Sequence, residues 1–205
     1  MNRIPTTLID GKTGRPVKAL LLDNLTVAEI NEVEKQWVIH RREGATRLHK
    51  LGLAVPEHWR WDWTEKSEKL KLLAYRSLGI KCGNTLQGLM MISTGVRTAR
   101  MEPDTGKPIV YIEYLESAPW NVKPIVDEPQ YRGVGIRLFE AAVRLSFSEE
   151  FNGRIGLHSL RQAERFYAEK CGMTAIGPDA KFQNLNYFEL TREQAQEFLS
   201  EEETS

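Results

Sequence analysis

Apolar residues change period several times along this chain, and each change marks an element. Residues 6–22, TTLIDGKTGRPVKALLL, place two short apolar stretches around a Gly-rich turn. That is either a hairpin or a loop feeding a first strand at 17–22. Thr26 followed by Glu29 is a capping-box pair, and Ile30, Val33 and Trp37 then recur on one helical face to about residue 42. A second helix is expected over 65–78, with Leu70, Leu73, Ala74 and Leu78 facing inward. Strand patterns follow at 80–82, from Thr85 through LQGLMMIS after a Gly83-Asn84 turn, and in IVYIEYLES after the turn EPDTGKP. Three consecutive antiparallel strands are the natural reading.

From Gly135 the period becomes helical, with Ile136, Phe139, Val143 and Phe147 on one stripe. A short strand at 154–158, a helix at about 160–170 and closing strands at 173–176 and 186–190 come next. Thr191 with Gln194 then caps a last acidic helix over 192–199, followed by the tail EEETS. The order is β-α-α-β-β-β-α-β-α-β-β, an α/β (α+β) arrangement with a mixed, mainly antiparallel central sheet flanked by helices.

Composition narrows this further. At 205 residues the chain should bury about 70% of its unfolded surface, ample for one core and thin for two, so one domain is expected over 1–205. With 28 Lys and Arg against 28 Asp and Glu, the formal charge is zero. That disfavours a protein whose main task is gripping nucleic acid, which needs surplus clustered cations. The longest apolar runs, 19–22 and 89–92, are four residues each, so no membrane span is expected. The start MNRIPTTLID lacks the apolar stretch of a secretory signal, and two cysteines, Cys82 and Cys171, suit a reducing compartment. The expected location is the cytoplasm. His40, His49, His58 and His158 are scattered and neither cysteine has a histidine at ligand spacing, so no metal site is expected.

The segment PQYRGVGIRLFEAAV carries the chemistry. Two glycines let successive backbone amides turn inward, and the helix start adds free N–H groups and a positive dipole end, which together suit a phosphate. A Gly-rich turn before a helix is often only a turn, so context decides. Here it follows antiparallel strands and precedes a helix, a strand and a second helix with the pattern A-x-x-F-Y-x-x-x-x-G at Ala163, Phe166, Tyr167 and Gly172.

This order, with Gln130, Gly133 and Gly135 filling a Q/R-x-x-G-x-G/A loop, resembles the GNAT superfamily of N-acetyltransferases. Element order matches over roughly 17–190, and the specific motifs lie within about 79–173. The resemblance implies acceptor-side helices over about 24–78, an acetyl-CoA-binding core over 79–190, and an acidic C-terminal helix and tail over 191–205. It implies acetyl-CoA as co-substrate without a metal. Its cofactor contacts would be the pyrophosphate loop Gln130, Tyr131, Arg132, Gly133, Val134 and Gly135, backbone groups of Leu115, Glu116 and Ser117, and the later residues Ala163, Phe166 and Tyr167. Many relatives carry an Asn three residues before that Ala; this chain has Leu160, so the pantetheine contact is either lost or comes from Ser159. The insertion APWNVKPIVDE separates the preceding strand from the loop, where relatives turn almost at once.

Acetyl transfer to an amine needs a neutral nucleophile, a stabilised thioester oxygen and a proton for the departing thiolate. An ordinary amine, with a pKa near ~10, is about one part in a thousand neutral at pH 7, so a base or water chain must deprotonate it. Glu113 is the first candidate and Glu116, of opposite strand parity, the second; each is alternatively a structural carboxylate. Tyr167 is the candidate acid, or else it and Phe166 are core aromatics at helical spacing. Cys171 ends a helix and reads as a small buried hydrophobe rather than an acyl carrier.

Trp59, Trp61 and Trp63 recur at period two, as packing residues or as an aromatic wall for a cationic acceptor. Trp120 and Asn121 lie among Pro119, Pro124 and Pro129, where they either overhang an acceptor cleft or pack. The expected activity is an acetyl-CoA-dependent N-acetyltransferase in which a primary amine attacks directly in a ternary complex. The alternative is an inactive module of the same fold that binds coenzyme A or a protein. Acceptors left open are small-molecule amines, protein lysines or N-termini, and, behind these, aminoacyl-tRNA; a homodimer is also open.

Overall fold

A computed structural model describes residues 3–123 and 125–204. Among the described residues there are nine strands and five α-helices. They are β1 (Arg3–Asp10), β2 (Pro16–Asp23), α1 (Val27–Lys50), α2 (Trp63–Ser67), β3 (Tyr75–Cys82), β4 (Thr85–Thr98) and β5 (Pro108–Ser117). After these come β6 (Tyr131–Arg132), α3 (Val134–Ser148), β7 (Ile155–Ser159), α4 (Glu164–Glu169), β8 (Thr174–Asp179), β9 (Leu185–Leu190) and α5 (Arg192–Thr204). The sheet order is β6-β1-β2-β3-β4-β5-β7-β9-β8, with β5 and β7 parallel and the pairs at both ends antiparallel. No helix among the described residues is long and apolar enough to cross a membrane.

Two compact units divide the chain: residues 1–91 with 115–138, and residues 92–114 with 139–205. In the first unit, β1 and β2 form the hairpin, in register from Arg3 opposite Leu22 to Ile9 opposite Pro16. Both halves of the Thr26 capping box are made, since the Thr26 hydroxyl accepts from the Glu29 amide and the Glu29 carboxylate from the Thr26 amide. α1 runs on to Lys50, eight residues beyond the expected end. The apolar stripe persists there, with Gly44 under the Trp59 ring and Leu48 in a cluster with Trp59 and Ile125.

The helix expected over 65–78 does not form. α2 spans five residues, a 3-10 turn covers Glu68–Lys71, and β3 has begun by Tyr75. Leu73 is fully exposed and Leu78 is buried as a strand residue opposite Asp23 of β2. Sheet pairing outweighs the helical spacing of the leucines, since a strand edge offers burial and hydrogen bonds at once. The later helix is likewise shorter than expected: a 3-10 turn at Arg161–Ala163 leads into α4 at Glu164.

In the second unit side chains alternate between two sheet faces. Phe139 of α3, Tyr167 of α4, Phe198 of α5 and Phe188 of β9 pack on one side, their ring centroids 5.2–6.5 Å apart. On the other, Ala99, Ile109, Tyr111 and Tyr187 form a smaller cluster bordered by charged groups.

Candidate functional site

In the first unit the Gly-rich turn is held from both sides. Gln87 of β4 is fully buried, and its Oε1 accepts from Trp120 Nε1 at 2.8 Å and Asn121 Nδ2 at 2.9 Å. Asn121 Oδ1 in turn accepts from the Tyr131 amide at 2.8 Å, and the Gln130 amide donates to the Trp120 carbonyl at 3.0 Å. The insertion therefore folds back on β4 and delivers the chain to the turn. Trp120 meets Trp37 and His40 of α1 edge-on, and Ile125 fills the Leu48–Trp59 cluster. Pro119 is buried and opens a 3-10 turn; Pro124 lies outside the described residues.

Tyr131 and Arg132 pair with Asp10 and Ile9 of β1, and Arg132 reaches the Gly11 carbonyl at 3.2 Å. Gly133 then adopts φ +88°, which side chains other than glycine rarely tolerate, and a Cβ built there would meet only Ile136, at 4.0 Å. The space above the turn is open. α3 starts at once with a buried Val134, and the first amide bonded within the helix is Arg137 to the Gly133 carbonyl. The amides before it have no partner in the helix ladder and point out of its start. Gly88 of β4 allows α3 so close, since a Cβ on it would fall 2.4 Å from Val134 Cγ1.

Glu116, near the end of β5 between Leu115 and Ser117, is 2% exposed. Its Oε1 accepts from Arg41 Nη1 at 3.3 Å and its Oε2 from the Trp63 indole at 2.6 Å. Arg41 also bonds Glu34, whose other oxygen accepts from the Trp63 amide at 3.3 Å. Two buried carboxylates thus share one guanidinium. Burial pushes the Glu116 carboxyl up to about 7, against the opposing pull of Arg41 and Trp63, and raises Glu34 as well. Burial, aided by Arg41, also holds the nearby His58 down at about 4. Trp59 and Trp63 are buried packing residues; Trp61 faces His58 and carries Lys66 over its ring at 4.9 Å.

The second unit holds the other candidates. Glu113 is half-buried and accepts from Ser93 Oγ at 2.9 Å. Ser159 ends β7 with its hydroxyl donating to the Leu160 carbonyl at 2.9 Å; Ala163 precedes α4, and Phe166 stacks edge-on with Tyr167 at 5.1 Å. Tyr167 is 7% exposed, and burial raises its phenol well above the ordinary range, so it stays protonated at neutral pH. Cys171 is fully buried and its thiol is pushed up by burial, so it offers no thiolate.

A further group escapes the sequence reading. Tyr111 Oη bonds His158 Nδ1 at 2.6 Å, and His158 Nε2 meets Asp179 Oδ2 at 3.2 Å. Phe182 stacks on that imidazole at 3.8 Å and 13°. Arg97 lies over both the Tyr111 and Phe182 rings, at 4.3 and 4.5 Å. No local spacing announces these contacts; only the alternation placing Tyr111 and Glu113 on one face of β5 was readable. The same holds for Glu34, Arg41 and Gln87.

No protein-family model matches the sequence, and no curated protein does. Solved structures do. The aminoglycoside acetyltransferase AAC(6')-Ib, in complex with coenzyme A and kanamycin, aligns with a TM-score of 0.55 at 16% identity, over 87% of this chain and 98% of that one. A bacterial toxin gives 0.55 at 14%, over 88% and 95%. FeeM, an N-acyl amino acid synthase from uncultured soil microbes, gives 0.53 at 12%, over 87% and 94%. At such identities the likeness is one of fold, and that fold is the one in which the sequence motifs were expected: the chain has the fold of the GNAT N-acetyltransferases.

Proposed function

We propose that this chain is an acetyl-CoA-dependent N-acetyltransferase that acetylates a primary amine by direct attack, with both substrates bound together. The observation that carries the reading is the turn at Gly133: positive φ, open space where a side chain would sit, and a 15-residue helix whose first amides face outward. These residues fit a diphosphate, because amides and the helix dipole stabilise its charge without a lysine. Gln130, Tyr131, Arg132, Val134 and Gly135 line the same stretch, and Gln87 and Asn121 hold it in place.

Acetyl-CoA supplies an activated thioester carbon. The amine nitrogen forms a bond to that carbon as the carbon–sulfur bond breaks, the nitrogen loses a proton and the sulfur gains one. Glu113 takes the proton; it is half-buried, and the Ser93 hydroxyl fixes one of its oxygens. Tyr167 gives one, since burial keeps its phenol protonated at neutral pH. Backbone amides at Leu115, Glu116 and Ser117 polarise the thioester oxygen. A second role for Glu116 as the base is favoured by one observation: burial brings its carboxyl to about 7, where a base is both available and effective.

The test is release of free coenzyme A thiol from acetyl-CoA with a panel of amines, alongside direct coenzyme A binding. Thiol release with at least one amine is expected. Gly133→Val should reduce coenzyme A affinity by about a hundredfold or more, because a β-branched residue cannot hold this φ. Unchanged affinity in that variant overturns the assignment of the turn.

A further inference from the structure

Arg97 of β4 is a cation built into the second unit without a carboxylate to neutralise it. Among the described residues it makes no ion pair, and its Nε is buried with no hydrogen-bond partner. What holds it is aromatic: the guanidinium lies over Tyr111 at 4.3 Å and over Phe182 at 4.5 Å. The slot is itself braced. Phe182 stacks on His158, the His158 Nδ1 and the Tyr111 hydroxyl share a hydrogen bond at 2.6 Å, and the His158 Nε2 meets Asp179 at 3.2 Å. Asp179 is committed elsewhere as well, to Arg100 at 2.8 Å, so it does not serve Arg97.

Stacking fixes a guanidinium in orientation while leaving its in-plane N–H groups for a ligand, and a planar fork of donors matches a carboxylate or phosphate in two parallel bonds. A free surface arginine would lose side-chain entropy on binding; one clamped between rings has lost most of it already. The slot also lies on the face of β5 that carries Glu113, which follows Tyr111 by two residues, about 7 Å along the strand. That separation suits a small molecule with an amine at one end and an anion at the other.

We propose that Arg97, clamped between Tyr111 and Phe182, binds the anionic group of the acetyl acceptor, which is therefore an amine that also bears a carboxylate or phosphate. The proposal rests on the acetyltransferase reading above and narrows its acceptor.

The experiment compares matched pairs by thiol release: an amino acid with its carboxamide, and an aminoalkyl phosphate with the plain alkylamine. Wild type should show a KM about tenfold to a hundredfold lower for the anionic member of at least one pair, as expected for a charge-assisted bidentate contact. Whether carboxylate or phosphate wins identifies the anion. Arg97→Met should erase that preference with the KM for acetyl-CoA unchanged, and Arg97→Lys should restore part of it through charge alone. Equal use of both members of every pair overturns the proposal, as does a preference that survives in Arg97→Met.

Should wild type bind coenzyme A yet acetylate no amine, the catalytic reading fails, and the slot is judged separately. The same amino acids and aminoalkyl phosphates are then titrated calorimetrically into coenzyme A-loaded wild type and Arg97→Met. Heat seen with wild type and lost in the variant supports the anion site; no heat with either overturns it. Thermal midpoints of the three proteins, expected to agree within a few degrees, separate lost binding from lost folding.

Discussion

Arg41 and Arg97 have opposite surroundings. Arg41, in the first unit, is 4% exposed and shared by two buried carboxylates, Glu34 and Glu116. Arg97, in the second, is half-buried and held by two aromatic rings, with no carboxylate partner among the described residues. A guanidinium enclosed by acids is consumed by the fold, and the burial of those acids shows as raised carboxyl groups despite the cation between them. A guanidinium held by rings is positioned without being neutralised. The first arrangement stores a proton; the second leaves a charge for a ligand.

The largest effect separating the two should appear on truncation. Arg41→Met leaves Glu34 and Glu116 buried without a cation and is expected to cost about 3–5 kcal/mol of folding stability, the usual penalty for stripping one partner from a buried pair. Arg97→Met loses stacking and no ion pair, and should cost about 1 kcal/mol or less. Urea unfolding of both variants measures the contrast, and equal losses would break it.

Next in size is a difference in pH dependence, with opposite signs. Glu116 is raised to about 7 from the 4.5 of an ordinary glutamate, so the folded state binds the extra proton between those values. Stability should therefore fall as pH rises from about 4.5 through 7, by on the order of 3 kcal/mol at most. Glu116→Gln should flatten that slope. In the second unit Asp179 is held at about 2, first by its hydrogen bond to Arg100, so its contribution is present above pH 4 and lost as pH falls through 2. Asp179→Asn should remove only the acid limb. Thermal melts from pH 2 to 8 on both variants would show one slope vanishing in each; a single slope vanishing in both would mean that the clusters titrate together.

How legible these regions were follows from the range of their contacts. The Thr26–Glu29 box, the Gly83-Asn84 turn and the Gly133 turn are decided within three or four residues, so the local pattern reveals them. Arg41 and Glu116 are 75 positions apart, Trp63 and Glu116 53, and Tyr111 and His158 47. Nothing in the spacing of such residues predicts their meeting. Gln87, which secures the insertion, looked like an ordinary polar strand residue, although its place inside the apolar run LQGLMMIS was a usable signal, since a buried amide must find partners. The misread helix over 65–78 shows the converse. Its leucines have helical spacing, yet Leu73, expected to face inward, is fully exposed, and the chain turns into β3 where β2 offers pairing from Asp23 to Leu20.

That segment supplies the smallest and sharpest contrast. Leu73 is 103% exposed, between a 3-10 turn of the first unit and the strand that follows it. A leucine facing inward from a helix would lose about 2 kcal/mol or more on replacement by lysine, because its apolar surface would leave the core for a charge. A fully solvated one has nothing to lose, so Leu73→Lys should stay within about 0.5 kcal/mol of wild type. Leu78→Lys, at a buried strand position three percent exposed, should cost several times as much. Comparable losses at the two positions would restore the helical stripe and displace β3. A silent Leu73 beside a sensitive Leu78 would show that sheet pairing, and not leucine spacing, decides this stretch.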